Sequence, residues 1–167
     1  PALIDVAQLS TPARPLSSCT VWFVPGVNEG VTFADSWIVM VNVCVAFKTI
    51  PALTFSVARG GDWIDQNASS VLGLPSSKCT FIKESGIDIR TPKGREQEAI
   101  AIYYRNLISY TISNIRNRLM MGKDLPNFSE PIEIVCAGGT SMILGFIEVF
   151  REEMQKVKFP IPVKNVR

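Results

Sequence analysis

Hydrophobic positions change period along this chain. Residues 37–47 are almost uniformly apolar and rich in valine, with Asn42 the one amide among them, and they read as a buried strand. Residues 53–58 (Leu-Thr-Phe-Ser-Val-Ala) alternate and read as the partner strand of a hairpin, with residues 48–51 as the turn. After Gly60-Gly61-Asp62 the pattern predicts a helix over 63–72, capped by Asp62 and stopped by Gly73 and Pro75. A short helix is expected over 76–84, closed by Gly86. Ile100, Tyr104, Leu107, Thr111, Ile115 and Leu119 recur every three or four positions, which predicts a long helix over 95–121 ending at Gly122.

Residues 123–130 read as a linker and 132–137 as a short apolar strand. Gly138-Gly139-Thr140-Ser141 makes a tight loop, and an amphipathic helix is expected to start at once and run over 143–156. Residues 159–166 suit a last strand, with Pro160 and Pro162 confining it to an edge or an early position. Residues 1–36 carry Pro12, Pro15, Pro25, Gly26 and Gly30 and read mostly as loop or irregular strand. Hairpin, helices, then strand-loop-helix is the order of an α/β layered domain, in which residues 39–47 and 132–137 share one sheet.

Composition narrows the chemistry. The sequence has 167 residues, 47% apolar and 19% charged, which suits a soluble globular domain with a core of its own. A net charge of +2 gives no argument for a nucleic-acid or anionic-membrane partner. No window approaches the roughly 18 apolar residues of a membrane span. The chain starts at Pro1, which suggests a fragment or a processed chain, and no signal peptide is expected. Cys19, Cys44, Cys79 and Cys136 form no C-x-x-C pair and read as free buried thiols in a reducing cytoplasm. The absence of histidine removes Ser-His-Asp and Cys-His catalysis. Chemistry is left to carboxylates, lysines, backbone amides or a bound cofactor.

Three segments stand out. In Ile134-Val135-Cys136-Ala137-Gly138-Gly139-Thr140-Ser141 a strand delivers the chain to two glycines, where backbone can approach a flat or anionic ligand. A plain αβ turn would read the same way. Arg59-Gly60-Gly61-Asp62 follows the hairpin and leads into a helix, as helix capping alone would. Phe81-Ile82-Lys83-Glu84 offers an ammonium and a carboxylate, on what is equally a solvated helix face.

Taken in order, these segments resemble the actin, Hsp70 and sugar-kinase superfamily. Ala137-Gly138-Gly139-Thr140-Ser141-Met142, followed by Gly145-Phe146, resembles the adenosine motif of actin-like proteins, with Leu144 where proline is usual. Gly60-Gly61-Asp62 is similar to the segment leading out of the phosphate hairpin, and Ile82-Lys83-Glu84 to the one facing ribose and adenine. The resemblance covers roughly residues 39–167. It implies a ribonuclease-H-like, actin-type ATPase domain II: a mixed sheet flanked by helices, over residues 37–167, with 1–36 divergent and the first domain missing. It implies ATP and Mg²⁺ as ligands. Gly138, Gly139, Thr140 and Ser141 would lie at the adenosine, Lys83 and Glu84 at the ribose and base, and Gly60, Gly61 and Asp62 at the floor.

The pattern fails upstream. A second phosphate loop laid on this sequence places Asp35 at the metal-facing position and Asn42 at its end, but Trp37 and Val39 stand where glycines belong. Bulky side chains there would keep backbone amides from the β- and γ-phosphates. The family chain also continues beyond the point that matches Arg167. Two functions follow as expectations. One is the ATP-binding half of a cytoplasmic, filament-forming ATPase of MreB-like or plasmid-segregation type, not hydrolytic alone and partnered by itself or by the first domain. The other is a non-catalytic assembly or interaction module that has lost the nucleotide. A Rossmann-type dinucleotide site is disfavoured, since no G-x-G-x-x-G follows a first strand.

Overall fold

The computed structural model describes residues 18–25, 39–47, 50–122 and 130–167. Five strands form one mixed sheet in the order β3-β2-β1-β4-β5. They are β1 (Ser18–Pro25), β2 (Val39–Phe47), β3 (Ile50–Val57), β4 (Ile132–Gly138) and β5 (Val163–Val166). β1 runs antiparallel to β2, and β2 to β3, while β1–β4 and β4–β5 are parallel. The expected common sheet for residues 39–47 and 132–137 is present, with β1 lying between its two halves.

β1 is the main departure from the sequence reading, which had loop or irregular strand there. Thr-Val-Trp-Phe-Val at 20–24 is a run of strong β-formers, and Pro25 is the last residue of the strand. The expected turn over 48–51 is shorter, because Ile50 and Pro51 already pair with Phe47 and Ala46. The register shifts between Val45 and Ala46. The linker expected at 123–130 falls almost wholly outside the described residues. β5 is an edge strand as expected, and the preceding Pro162 accepts the Ile132 N–H through its carbonyl at 2.9 Å.

Four helices carry the other half of the core: α1 (Gly61–Leu72), α2 (Ser76–Glu84), α3 (Gly94–Met121) and α4 (Phe146–Gln155). Val41, Val43 and Val45 on β2 and Ile132 and Ile134 on β4 are buried at every second position. They join Ile64, Ile100, Leu107, Ile108, Ile112, Ile115, Phe146 and Phe150 of the helices in one cluster. Each fully buried aliphatic side chain contributes about 1.5–3 kcal/mol, so this stripe of α3 and the valine face of the hairpin hold each other in place. The N-cap of α1 is Gly60, which gives no side-chain cap, a correction to the expected role of Asp62. Asp62 sits inside the first turn, where its charge complements the helix dipole.

α3 is tied to α4 through Glu153, a buried carboxylate. Its Oε1 accepts from Lys156 Nζ at 2.6 Å and from Arg105 Nη1 at 2.8 Å. Burial works to raise its pKa, but the hydrogen bonds from Lys156 and Arg105 outweigh burial and hold it below the ordinary carboxylate value. A carboxyl depressed on folding adds stability above its unfolded pKa, near about 4.3, and loses it as pH falls through the folded value. Thermal melts of wild type and Glu153→Gln should therefore differ at pH 7 and converge toward pH 3. A constant difference across that range would contradict the assignment.

Candidate functional site

Helix starts and strand ends meet at one side of the domain. Gly61 and Asp62 open α1, Lys83 and Glu84 end α2, and Gly139 and Thr140 follow β4. Together they wall a cavity of about 540 Å³, with Gly86, Tyr104, Met142, Ile143 and Leu144 completing the lining. That volume falls within the roughly 300–1,000 Å³ of small-molecule sites.

The sequence-expected residues divide. Gly61, Asp62, Lys83, Glu84, Gly139 and Thr140 line the cavity, whereas Gly60, Gly138 and Ser141 are not among its walls. Asp35 and Trp37 lie outside the described residues, and of Val39 only the backbone is described. Ser141 donates its hydroxyl to the Gly138 carbonyl at 2.8 Å and so closes the turn instead of facing the space. Gly138 has φ 102°, a left-handed conformation that a side chain would strain. Gly139 needs no such conformation, and a Cβ there would meet nothing within 4 Å.

One expectation fails in geometry. The helix was to begin directly after the two glycines and offer its free N–H groups to a ligand. Residues Gly139–Met142 instead form a 3-10 turn, and α4 begins only at Phe146. The reason is Gly145, the N-cap, at φ 84°. A Cβ there would stand 2.6 Å from Asp88 Oδ1, so the chain reverses tightly against the Asp88 segment before the helix can start. The Ile89 N–H donates to the Leu144 carbonyl at 3.1 Å and fixes that approach.

Lys83 bears on the site through a residue that the sequence reading missed. Its Nζ lies 2.6 Å from Asp65 Oδ2 and 3.5 Å from the Gly61 carbonyl. Asp65 is buried and also accepts the Thr80 hydroxyl at 2.9 Å. The available signal was spacing: Asp65 follows Asp62 by three residues and Gly61 by four, which puts all three on one face of α1. Burial raises the Asp62 pKa; Lys83 opposes that and Asp65 adds to it. Tyr104 is buried, and its hydroxyl is pushed upward by burial first and then by Asp65 and Glu84, so it stays protonated. Of the thiols, Cys79 is buried and Cys44 and Cys136 half-buried, all free, and burial pushes Cys136 up to about 12.

The site thus offers an apolar slot between Tyr104, Ile143 and Leu144, with an ammonium, two carboxylates and a threonine at its margin. Such a lining suits a flat heterocycle carrying a polar substituent. Among the described residues, no group of three histidine, cysteine or acidic side chains comes together.

Comparison with solved structures bears on the fold. The crystal structure of the ethanolamine utilization protein EutJ from Carboxydothermus hydrogenoformans matches 90% of this chain with a TM-score of 0.57 at 16% identity. The PilM-PilN type IV pilus biogenesis complex matches 91% with a TM-score of 0.51 at 10% identity. The fold that this chain shares with them is an actin-like α/β fold. It spans 44% and 36% of the length of those two chains, less than half of either. The chain belongs to the Volactin family, whose model matches residues 36–167. No curated protein matches the sequence. Among the described residues, no helix is long and apolar enough to cross a membrane.

Proposed function

We propose that this chain supplies the adenosine-facing half of an actin-like nucleotide site, corresponding to domain II of a ribonuclease-H-like ATPase. A further actin-like domain would close over the phosphates. The observation that carries the reading is convergence: Gly61-Asp62, Lys83-Glu84 and Gly139-Thr140, distant in sequence, contribute walls to one cavity. Glu84 would accept ribose hydroxyls, Gly139 would let the base lie against bare backbone, and Tyr104 with Ile143 would cover its faces. In-line attack on a γ-phosphate needs positioning from both sides, so the chain alone would not hydrolyse ATP.

The finer assignment is a cytoplasmic filament former of MreB-like or plasmid-segregation type, self-associating or joined to its first domain. It rests on the order of the motifs. The neighbouring PilM-PilN structure is itself a complex, which supports a role through partners. A second reading, an assembly module that has lost the nucleotide, is favoured by Trp37 and Val39 at the glycine positions of the phosphate loop.

Titration calorimetry with ATP, ADP, AMP and adenosine separates them. The proposal expects weak binding of all four, within about tenfold of each other, or about 1.4 kcal/mol. ATP binding orders of magnitude tighter than AMP would mean that residues 35–42 form an intact phosphate cradle. Failure of all four to bind would leave the assembly module as the reading.

A further inference from the structure

A lysine on a flexible four-carbon stem is a poor wall for a binding site unless something holds it. Here something does. Lys83 is 14% exposed and Asp65 4% exposed at their side chains, and their charged atoms lie 2.6 Å apart. Asp65 reaches Lys83 from α1, while Thr80, one helical turn before Lys83 on α2, donates to the same carboxylate oxygen. The other oxygen, Oδ1, is buried and has no hydrogen-bond partner. Nothing in packing calls for this arrangement. A buried ion pair contributes little net stability over an apolar pair of similar size, and an orphaned acceptor subtracts from it. The carboxylate therefore reads as serving the group it holds.

We propose that Asp65 is the positioning residue of the cavity: its buried carboxylate fixes the Lys83 ammonium at the wall beside Gly61, so that α1 and α2 present one rigid edge to the ligand. An ammonium has three donors. Asp65 takes one, and the Gly61 carbonyl, at 3.5 Å, is a weak second partner. Donor capacity remains for a ligand in the space that Lys83 lines. Asp65 touches no ligand itself. It also joins the turn at Gly61 and Asp62 to the end of α2, so that a shift at one edge of the cavity is felt at the other. The identity of the ligand rests on the nucleotide reading above; the pairing rests on geometry alone.

The test has two arms. In the first, the folded chain is treated with a water-soluble acetylating ester and each lysine is followed by mass spectrometry. Lys83 should react several-fold more slowly than exposed Lys164, and Asp65→Asn should remove that protection while leaving Lys164 unchanged. Equal rates for the two lysines in wild type would overturn the pairing. In the second, ATP and adenosine are titrated into wild type, Asp65→Asn and Thr80→Val. Affinity should fall about tenfold in Asp65→Asn and stay near wild type in Thr80→Val, although both lower the melting temperature. A purely structural carboxylate would lower both melting temperatures and neither affinity, which would overturn the proposal. Should Asp65→Asn not fold, Asp65→Glu, which keeps the charge but shifts the carboxylate by one methylene, takes its place: Lys83 should react faster and affinity should fall, and no change in either would overturn the proposal. If wild type binds neither ligand, the nucleotide reading falls and the positioning role with it, while the labelling arm still decides the pairing.

Discussion

Ile115→Asp is expected to destabilise the domain by roughly 4 kcal/mol, a large share of the about 5–15 kcal/mol that holds a domain folded. Ile115 has no exposed surface and sits on the α3 stripe that packs into the main cluster. An aspartate there would bring a charge into the apolar cluster. Ser113, two positions earlier, is half-buried, and Ser113→Asp should cost far less. Urea denaturation of the two variants measures the contrast. Equal shifts of the midpoint would mean that the face of α3 is assigned wrongly.

Gly139→Val should separate binding from folding in the opposite sense. Gly139 is exposed, its φ is not in the left-handed region, and a side chain there meets nothing within 4 Å. The melting temperature should therefore move little, as for a surface substitution of about 0.5 kcal/mol. The added isopropyl group would stand in the space where the base is proposed to lie. Binding of ATP and adenosine should fall at least about a hundredfold, or about 2.8 kcal/mol. Calorimetry and a thermal melt on the same sample decide it, and retained affinity in a folded variant would remove Gly139 from the site.

Much of this arrangement was legible in the residues, for reasons that differ by element. α2 covers the expected 76–84, and α3 begins one residue before the expected 95. Long apolar periodicity leaves few alternatives. The cavity was legible as three motifs whose meeting no spacing could show; only the parallel β1–β4 pairing and the α1–α2 packing bring them together. Asp65 escaped notice because a carboxylate on a helix is read as solvated until something is seen to bury it. The 3-10 turn escaped because Gly145 was taken as part of a motif and not as the φ 84° hinge that delays α4. β1 escaped because its flanks are so rich in breakers that its own five β-formers went unweighted.

The place of β1 has a consequence for how the chain folds in time. Its partner β2 lies close in sequence, so that ladder and the β2–β3 hairpin close small loops. Its other partner, β4, is more than a hundred residues away, with Ser18 opposite Glu133. Closing so long a loop costs entropy before any contact is gained, and such pairings form late and slowly. On the ribosome, β1–β3 and the first three helices would all emerge before β4 exists. Until it arrives, β1 presents an open edge of unpaired amides and carbonyls, the kind of surface that recruits strands from other chains. The seam that completes the sheet, and with it the wall of the cavity carrying Gly139, is thus also the point at which a nascent chain is most exposed to pairing with the wrong partner.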